Sequence, residues 1–217
     1  TISLESGKSY DVVVEYYQNT GDAEMHFGWA PAANAMFSAA CLATIAKADA
    51  VVACVGFNDK LEGEGFDRSY TLPGDQDELI QAVVQTNPRT AVVLNAGSNV
   101  DMSKWIDRIP VLVHAWYPGQ MGGIALAEIL FGEVNPSGKL PVSFEKRWED
   151  AAAFGNFPAT NRKITYAEGI FLGYRHFDAK NIEPQFPFGF GLSYTTFKYG
   201  KLKLSSKQMK PGETLTA

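Results

Sequence analysis

At 217 residues, against roughly 150 for a typical domain, the chain has room for one sizeable core and a remainder. Its 24 acidic and 19 basic residues leave a net charge of −5, so there is no overall basic footprint for a phosphate backbone and nucleic acid is not an expected partner. Hydrophobic residues at 46% and charged residues at 20% fit a globular chain and exclude wholesale disorder or collagen-like repetition.

The opening alternates as strands do. Tyr10, Val12, Val14 and Tyr16 share one face, and Met25, Phe27 and Trp29 follow a turn at Asn19 to Asp22, which predicts a β-hairpin. Pro31 closes it, and an Ala-rich stretch from Ala32 to Ala46 then places Met36, Phe37, Cys41, Leu42 and Ile45 near helical spacing. A domain boundary is expected near Pro31. From here strands and helices alternate. The apolar run Ala50 to Val55 lies between Asp49 and Gly56 and reads as a strand buried on both faces. After a loop rich in glycine and acids, Asp75 and Glu78 form a capping-box-like start to a helix with Leu79, Ile80, Val83 and Val84 on one face, stopped at Asn87-Pro88. Thr90 to Leu94 and Val111 to His114 read as further strands, Met121 to Phe131 as a helix, and Leu140 to Phe144 as another strand.

Beyond Phe144 the periodicity fades, and Glu145 to Gln185 reads as an extended segment without sustained helix or strand. The aromatic and glycine run Phe186 to Tyr194 suits an anchor for a linker. Phe197, Tyr199, Leu202 and Leu204 alternate again, with Gly200 interrupting. The expected fold class is α/β, a three-layer α/β/α sandwich with a mostly parallel sheet, flanked by fragments of β-sandwich modules. No apolar stretch approaches the roughly 18 residues of a membrane span. Cys41 and Cys54 are too few for a disulfide framework and read as small core hydrophobes. In open sheets of this kind ligands bind outside the carboxyl ends of the strands, which directs attention to the loop after Val55.

That loop runs Asn58-Asp59-Lys60-Leu61-Glu62-Gly63-Glu64-Gly65-Phe66-Asp67-Arg68. Glycines on both sides of Glu64 give it a backbone that permits close approach and a side chain free to enter a cleft. A carboxyl acting as general acid near neutral pH must hold its proton there, which desolvation and like charges promote and a cation opposes. The plainer reading is a solvated acidic turn, or a structural pair between Asp67 and Arg68. The spacing does not fit a twelve-residue calcium loop, and the acids would repel a phosphate. His26, His114 and His176 stand apart, so no metal site is expected, and no Gly-x-Ser-x-Gly elbow surrounds Gly97-Ser98. Trp116 and Tyr117 follow the third strand, where they either pack or line a cleft.

Gly56-Phe57-Asn58 with Glu62 to Arg68, Leu72-Pro73-Gly74-Asp75-Gln76, Ala115 to Gln120, Leu130-Phe131-Gly132, Asn135 to Pro141 and Phe186 to Tyr194 occur in this order. Together they resemble the second domain of glycoside hydrolase family 3 β-glucosidases, over about residues 32–205. Residues 1–31 resemble the end of a protective-antigen-like β-sandwich module that some members carry inserted. Residues 32–145 correspond to the α/β sandwich domain with the acid/base loop, 146–193 to an extended segment and linker, and 194–217 to the start of a fibronectin type III-like domain.

The resemblance implies part of a retaining exo-β-glucosidase acting on terminal β-D-glucosyl residues of β-glucosides or short β-linked oligosaccharides, with no cofactor. Glu64 matches the family's acid/base, with Glu62 in reserve because loop alignments slip easily. Asp67, Arg68, Trp116 and Tyr117 are candidates for shaping the loop or touching sugar. The nucleophilic Asp would lie on an N-terminal barrel domain absent from these residues, leaving them inactive alone. β-Xylosidase, broad-specificity aryl-β-glycosidase and a noncatalytic carbohydrate-binding module remain alternatives. A homo-oligomer is compatible with the resemblance, and the compartment stays open, with the periplasm or the exterior slightly favoured over the cytoplasm, since a carbohydrate scavenger works on either side.

Overall fold

A computed structural model describes residues 37–159 and 161–216. Contacts separate Thr1–Ser38 from Ala39–Ala217, and the second unit is the one described here. The expected hairpin and the boundary near Pro31 lie outside the described residues.

The elements in chain order are α1 (Ala39–Lys47), β1 (Val51–Gly56), α2 (Gln76–Thr86), β2 (Thr90–Asn95), β3 (Val111–His114), α3 (Gly122–Leu130) and α4 (Tyr174–Lys180), with short 3-10 turns at Ile106–Arg108 and Trp148–Asp150. The three strands form one parallel sheet in the order β1-β2-β3, with Val55 opposite Leu94 and Leu94 opposite His114. This is the expected α/β class. Parallel strands need crossovers, and α2 supplies the one between β1 and β2.

The core lies on one face of the sheet. Ala53 and Val55 of β1 and Val92 and Leu94 of β2 point the same way, as the period of two requires, and pack with Ile80 and Val84 of α2 and with Leu72, Met102, Trp105 and Phe144. Truncating a buried Ile or Leu to Ala in such a core typically costs about 2–5 kcal/mol. Asp77 is buried beside this core and accepts a bond from Trp105 Nε1 at 2.9 Å, while Lys104 Nζ lies 3.0 Å from its other oxygen. The charge on α2's inner side is thus partnered, as burial demands.

Several sequence expectations are corrected. β1 is closed on one face only: Val52 is 47% exposed and Cys54 is exposed, because no described residue covers that side at the sheet's edge. Cys41 is also exposed, on a helix with no buried residue, so neither cysteine is a core hydrophobe. Asp75 makes no side-chain cap bond. At ψ 29° it lies outside the extended region that aims a capping side chain at the helix amides. Instead the next residue, Gln76, turns back to the end of β1, its Oε1 accepting from Gly56 N–H at 2.7 Å and its Nε2 donating to Gly56 O at 3.0 Å.

Leu140 to Phe144 is not a strand of the sheet. Pro141 lacks the N–H a ladder needs, and the segment pairs only with the 185–190 stretch, by an isolated antiparallel bridge between Phe144 and Phe186 and by backbone bonds of Leu140 with Gly189 and Phe190. Residues 197–204 form no strand, and Tyr199 and Leu202 are 91% and 75% exposed; alternation alone does not hold a strand without a sheet to bury its face. The segment read as lacking helix contains α4, which is only seven residues long, too short for its periodicity to stand out.

Candidate active site

The strands β1, β2 and β3 end in loops on the same carboxyl edge of the sheet, and hydrogen bonds tie these loops together. The first, after β1, begins with a tight turn: Asn58 O accepts from Leu61 N–H at 3.0 Å and Glu62 N–H at 2.9 Å, and Asn58 Oδ1 accepts from Lys60 N–H at 3.1 Å. This turn delivers Glu62 toward the other two loops.

Glu62 uses both carboxylate oxygens. Oε1 accepts from Arg68 Nε at 2.7 Å; Oε2 accepts from Gly97 N–H at 3.0 Å and from the Tyr117 hydroxyl. Burial pushes the carboxyl's pKa up, but the Gly97 amide, the Tyr117 hydroxyl and the Arg68 charge together outweigh it and hold it below 4.5. Glu62 is therefore an ionised acceptor at neutral pH. The Tyr117 phenol moves the other way, to about 12, because of burial and then its bond to the Glu62 carboxylate.

Arg68 donates a hydrogen bond from each of its three guanidinium nitrogens. Besides Glu62 it donates from Nη1 to Ser69 O at 2.8 Å and from Nη2 to Ser98 Oγ and Asn99 O, both at 2.5 Å, and it lies 4.6 Å over the Phe57 ring. Its charged partner is Glu62, not the neighbouring Asp67 suggested by the alternative sequence reading. Asp67 is exposed and carries no hydrogen bond or ion pair among the described residues.

Glu64 sits between these tethers and is exposed, also without a hydrogen bond or ion pair among the described residues. Gly65 after it adopts φ +90°, a conformation that side-chain-bearing residues rarely take, and this turn keeps the Glu64 backbone at the loop's outer tip. The structure thus separates the two glutamates that the sequence left as alternatives: one is bound into the scaffold and the other is displayed.

Trp116 and Tyr117 also divide. Trp116 packs against the core, its ring 4.3 Å from His114 and 6.2 Å from Phe144. Its φ of +55° is an uncommon state for so large a residue, held in part by Asn95 Nδ2 donating to its carbonyl at 3.1 Å. Tyr117 is 52% exposed and faces the loop. On the flank of the loop a cleft of about 590 Å³ is lined in part by Phe66, Tyr70, Trp148 and Phe157, with Asn99 and Glu145. Burial pushes the pKa of the Glu145 carboxyl up.

Sequence reasoning missed the mount of the loop. Gly97, Ser98 and Asn99 carry no recognisable motif, yet they receive Glu62 and Arg68. Asn99 extends the mount, its Nδ2 donating to Tyr70 Oη at 3.1 Å and to Glu145 O at 2.9 Å. The one available signal was position, since this loop also leaves the carboxyl end of a parallel strand.

The carboxyl edge of the α/β sheet thus carries a displayed carboxylate, Glu64, on a loop braced by the adjoining loops. Residues 6–194 match the model of the glycosyl hydrolase family 3 C-terminal domain, and the chain belongs to this family. It is 40% identical over 219 residues to a beta-glucosidase of Rhizobium radiobacter, covering 96% of this chain and 27% of that protein. It is 44% identical over 162 residues to thermostable beta-glucosidase B of Acetivibrio thermocellus, covering 74% of this chain and 21% of that one. Among solved structures, the beta-glucosidase of Kluyveromyces marxianus in complex with glucose superposes with a TM-score of 0.69 at 40% identity, over 71% of this chain and 18% of that one. DesR, a beta-glucosidase from Streptomyces venezuelae in complex with D-glucose, gives 0.71 at 43% identity, over 76% and 21%. The chain thus spans about a quarter of the length of the relatives it matches.

Proposed function

We propose that this chain supplies the general acid/base of a retaining exo-acting β-glucosidase, and that Glu64 is that residue. The observation that carries the reading is the contrast within one loop: Glu64 is displayed without a partner among the described residues, whereas both oxygens of Glu62 are already bonded. An acid/base must exchange a proton with substrate and then with water, which an unoccupied carboxyl can do and a saturated one cannot. The family membership and the glucose complexes of relatives support a β-D-glucosyl substrate.

In this reading the nucleophile is an aspartate on a barrel domain belonging to the part of the relatives that this chain does not cover. Its carboxylate attacks the anomeric carbon while Glu64 donates its proton to the glycosidic oxygen, and the C–O bond to the aglycone breaks. In the second half Glu64, now ionised, takes a proton from water as the water oxygen attacks the anomeric carbon and releases the enzyme carboxylate. Retention requires the two carboxyls to lie about 5–5.5 Å apart, so the loop tip must face the barrel.

The test uses the full-length protein with p-nitrophenyl β-glucoside and β-xyloside. Glu64→Ala should lower kcat by about 10²–10⁴-fold, and added azide should restore turnover with β-glucosyl azide as product, since a small anion replaces the missing base in the second step. Preference for the xyloside would assign the enzyme to β-xylosidases. Full activity in Glu64→Ala would remove this loop from the chemistry and leave a noncatalytic role.

A further inference from the structure

We propose that Glu62 is a positioning residue for the acid/base loop, a clamp that joins the ends of all three strands and holds the tip where Glu64 meets the substrate. The proposal rests on the assignment of Glu64 above and goes beyond it, because it gives the second glutamate a distinct role.

Three observations converge on it. Glu62 belongs to the loop after β1, Gly97 to the loop after β2 and Tyr117 to the loop after β3, so one carboxylate bridges three segments that are remote in sequence. Hydrogen bonds to an ionised acceptor are shorter and stronger than neutral ones, which suits a clamp. Glu62 and Arg68 also bracket the tip: the two are joined at 2.7 Å, and Arg68 is fixed again on Ser98 and Asn99. The tip between them, Gly63 to Asp67, is pinned at both ends, and Glu64 lies two residues from one pin and four from the other. Finally, the site is shaped to receive the carboxylate. A Cβ built on Gly97 would lie 2.9 Å from Glu62 Oε1 and 3.3 Å from its carboxyl carbon, so the absence of a side chain there is what lets the carboxylate reach the backbone amide.

The mechanism of action is indirect. Glu62 accepts hydrogen bonds from protein groups and touches no reacting atom; it limits where Glu64 can go. A misplacement of about 1 Å in a reacting group can cost about 10²-fold in rate, so loosening the pins should appear as weakened proton donation, with glucose binding preserved.

The discriminating measurement is kcat/KM of the full-length enzyme on aryl β-glucosides with good and poor leaving groups. A dinitrophenolate departs without a proton, whereas a phenolate depends on one. In Glu62→Gln the amide nitrogen faces protein donors, so the clamp opens although the size is kept. The expected loss is about 10–100-fold on phenyl β-glucoside and under about threefold on dinitrophenyl β-glucoside, with the inhibition constant for glucose changed by less than about twofold and no rescue by azide. Tyr117→Phe, which keeps all charges and removes one bond, should show the same leaving-group pattern at about 2–5-fold. Equal losses on both substrates, or no loss in Glu62→Gln, would overturn the clamp. Azide rescue in Glu62→Ala with none in Glu64→Ala would overturn it too, by making Glu62 the acid/base; full activity in Glu64→Ala alone would instead fail the reading beneath it.

Discussion

The acidic loop contains two regions with opposite physics. Its stem, Glu62 and Arg68, has side chains only 17% and 12% exposed, and every charged oxygen or guanidinium nitrogen is bonded to the scaffold. Its tip, Gly63 to Asp67, is exposed throughout, and its two carboxylates have no partner among the described residues. Two glutamates of identical chemistry, separated by one glycine, thus differ in what surrounds them. Stability should reside in the stem and reactivity in the tip, so substitutions in the stem should move both melting and activity, and those in the tip activity alone.

Glu64→Ala tests the tip half of that contrast: beside its large loss of rate, its melting temperature in the full-length enzyme should stay at the wild-type value, because an exposed side chain with no partner among the described residues holds none of them in place. In the stem, Arg68→Ala should have the largest effect on stability. It removes the cation from a partly buried pair and leaves Glu62 Oε1, Ser98 Oγ and Asn99 O without the bond from Arg68. A hydrogen bond to a charged group contributes about 1.5–3 kcal/mol, so denaturant titration should show a loss of about 2–4 kcal/mol. An unchanged midpoint would mean that the stem is not what holds the loop.

Gly97→Ala should have a smaller effect of the same kind. The new methyl meets the far end of a flexible side chain, which can yield, so the cost is that of a displaced carboxylate and a lengthened bond to the amide, about 1 kcal/mol. Activity on phenyl β-glucoside should fall more than activity on the dinitrophenyl substrate. The reverse order would show that the methyl obstructs the substrate instead of the clamp.

How much of this the sequence disclosed depended on the kind of signal. β3 has the expected bounds, Val111 to His114, and β1 and β2 are shifted or extended by one residue, because a short apolar run has few alternative registers, although β3 has no fully buried residue. The loop was visible through its glycines and acids, and Glu64 through its setting in a family motif. The clamp was not visible, because its partners at 35 and 55 residues' separation come together only when three strand ends share one edge. Likewise Cys54 looked like core, because an apolar run tells that a strand is buried without telling which of its faces is left at an open edge. The alternation in residues 197–204 misled for the complementary reason, since period two is needed for a strand but does not supply its neighbours.

The smallest effects concern pH, and they separate the stem from the packing beneath it. Glu62 has a lowered folded pKa, so its contribution is complete above the unfolded value near 4.5 and is lost as pH falls through the lower folded value. His114 acts in a different window. Burial lowers its pKa from 6.5, against a raising influence from its contact with Ser98 O and from Glu62, while Arg68 adds to the lowering. Its Nδ1 is buried without a hydrogen-bond partner, and its ring packs against those of Trp116 and Phe144. The unfolded chain therefore takes up a proton near pH 6.5 that the folded chain resists, and stability declines as pH falls below that value while staying flat above it. Comparing melting at about pH 8 and about pH 5.5, the wild type should lose stability and His114→Phe should lose less, because the variant has no imidazole to protonate on unfolding. Glu62→Gln should keep the wild-type difference between these two values or enlarge it, since both lie above the window in which the carboxylate titrates and losing its charge only lowers the His114 pKa further. If Glu62→Gln abolished the difference and His114→Phe retained it, the acid sensitivity would belong to the stem, and the division between a clamp stable at mildly acid pH and a titrating histidine under it would fail.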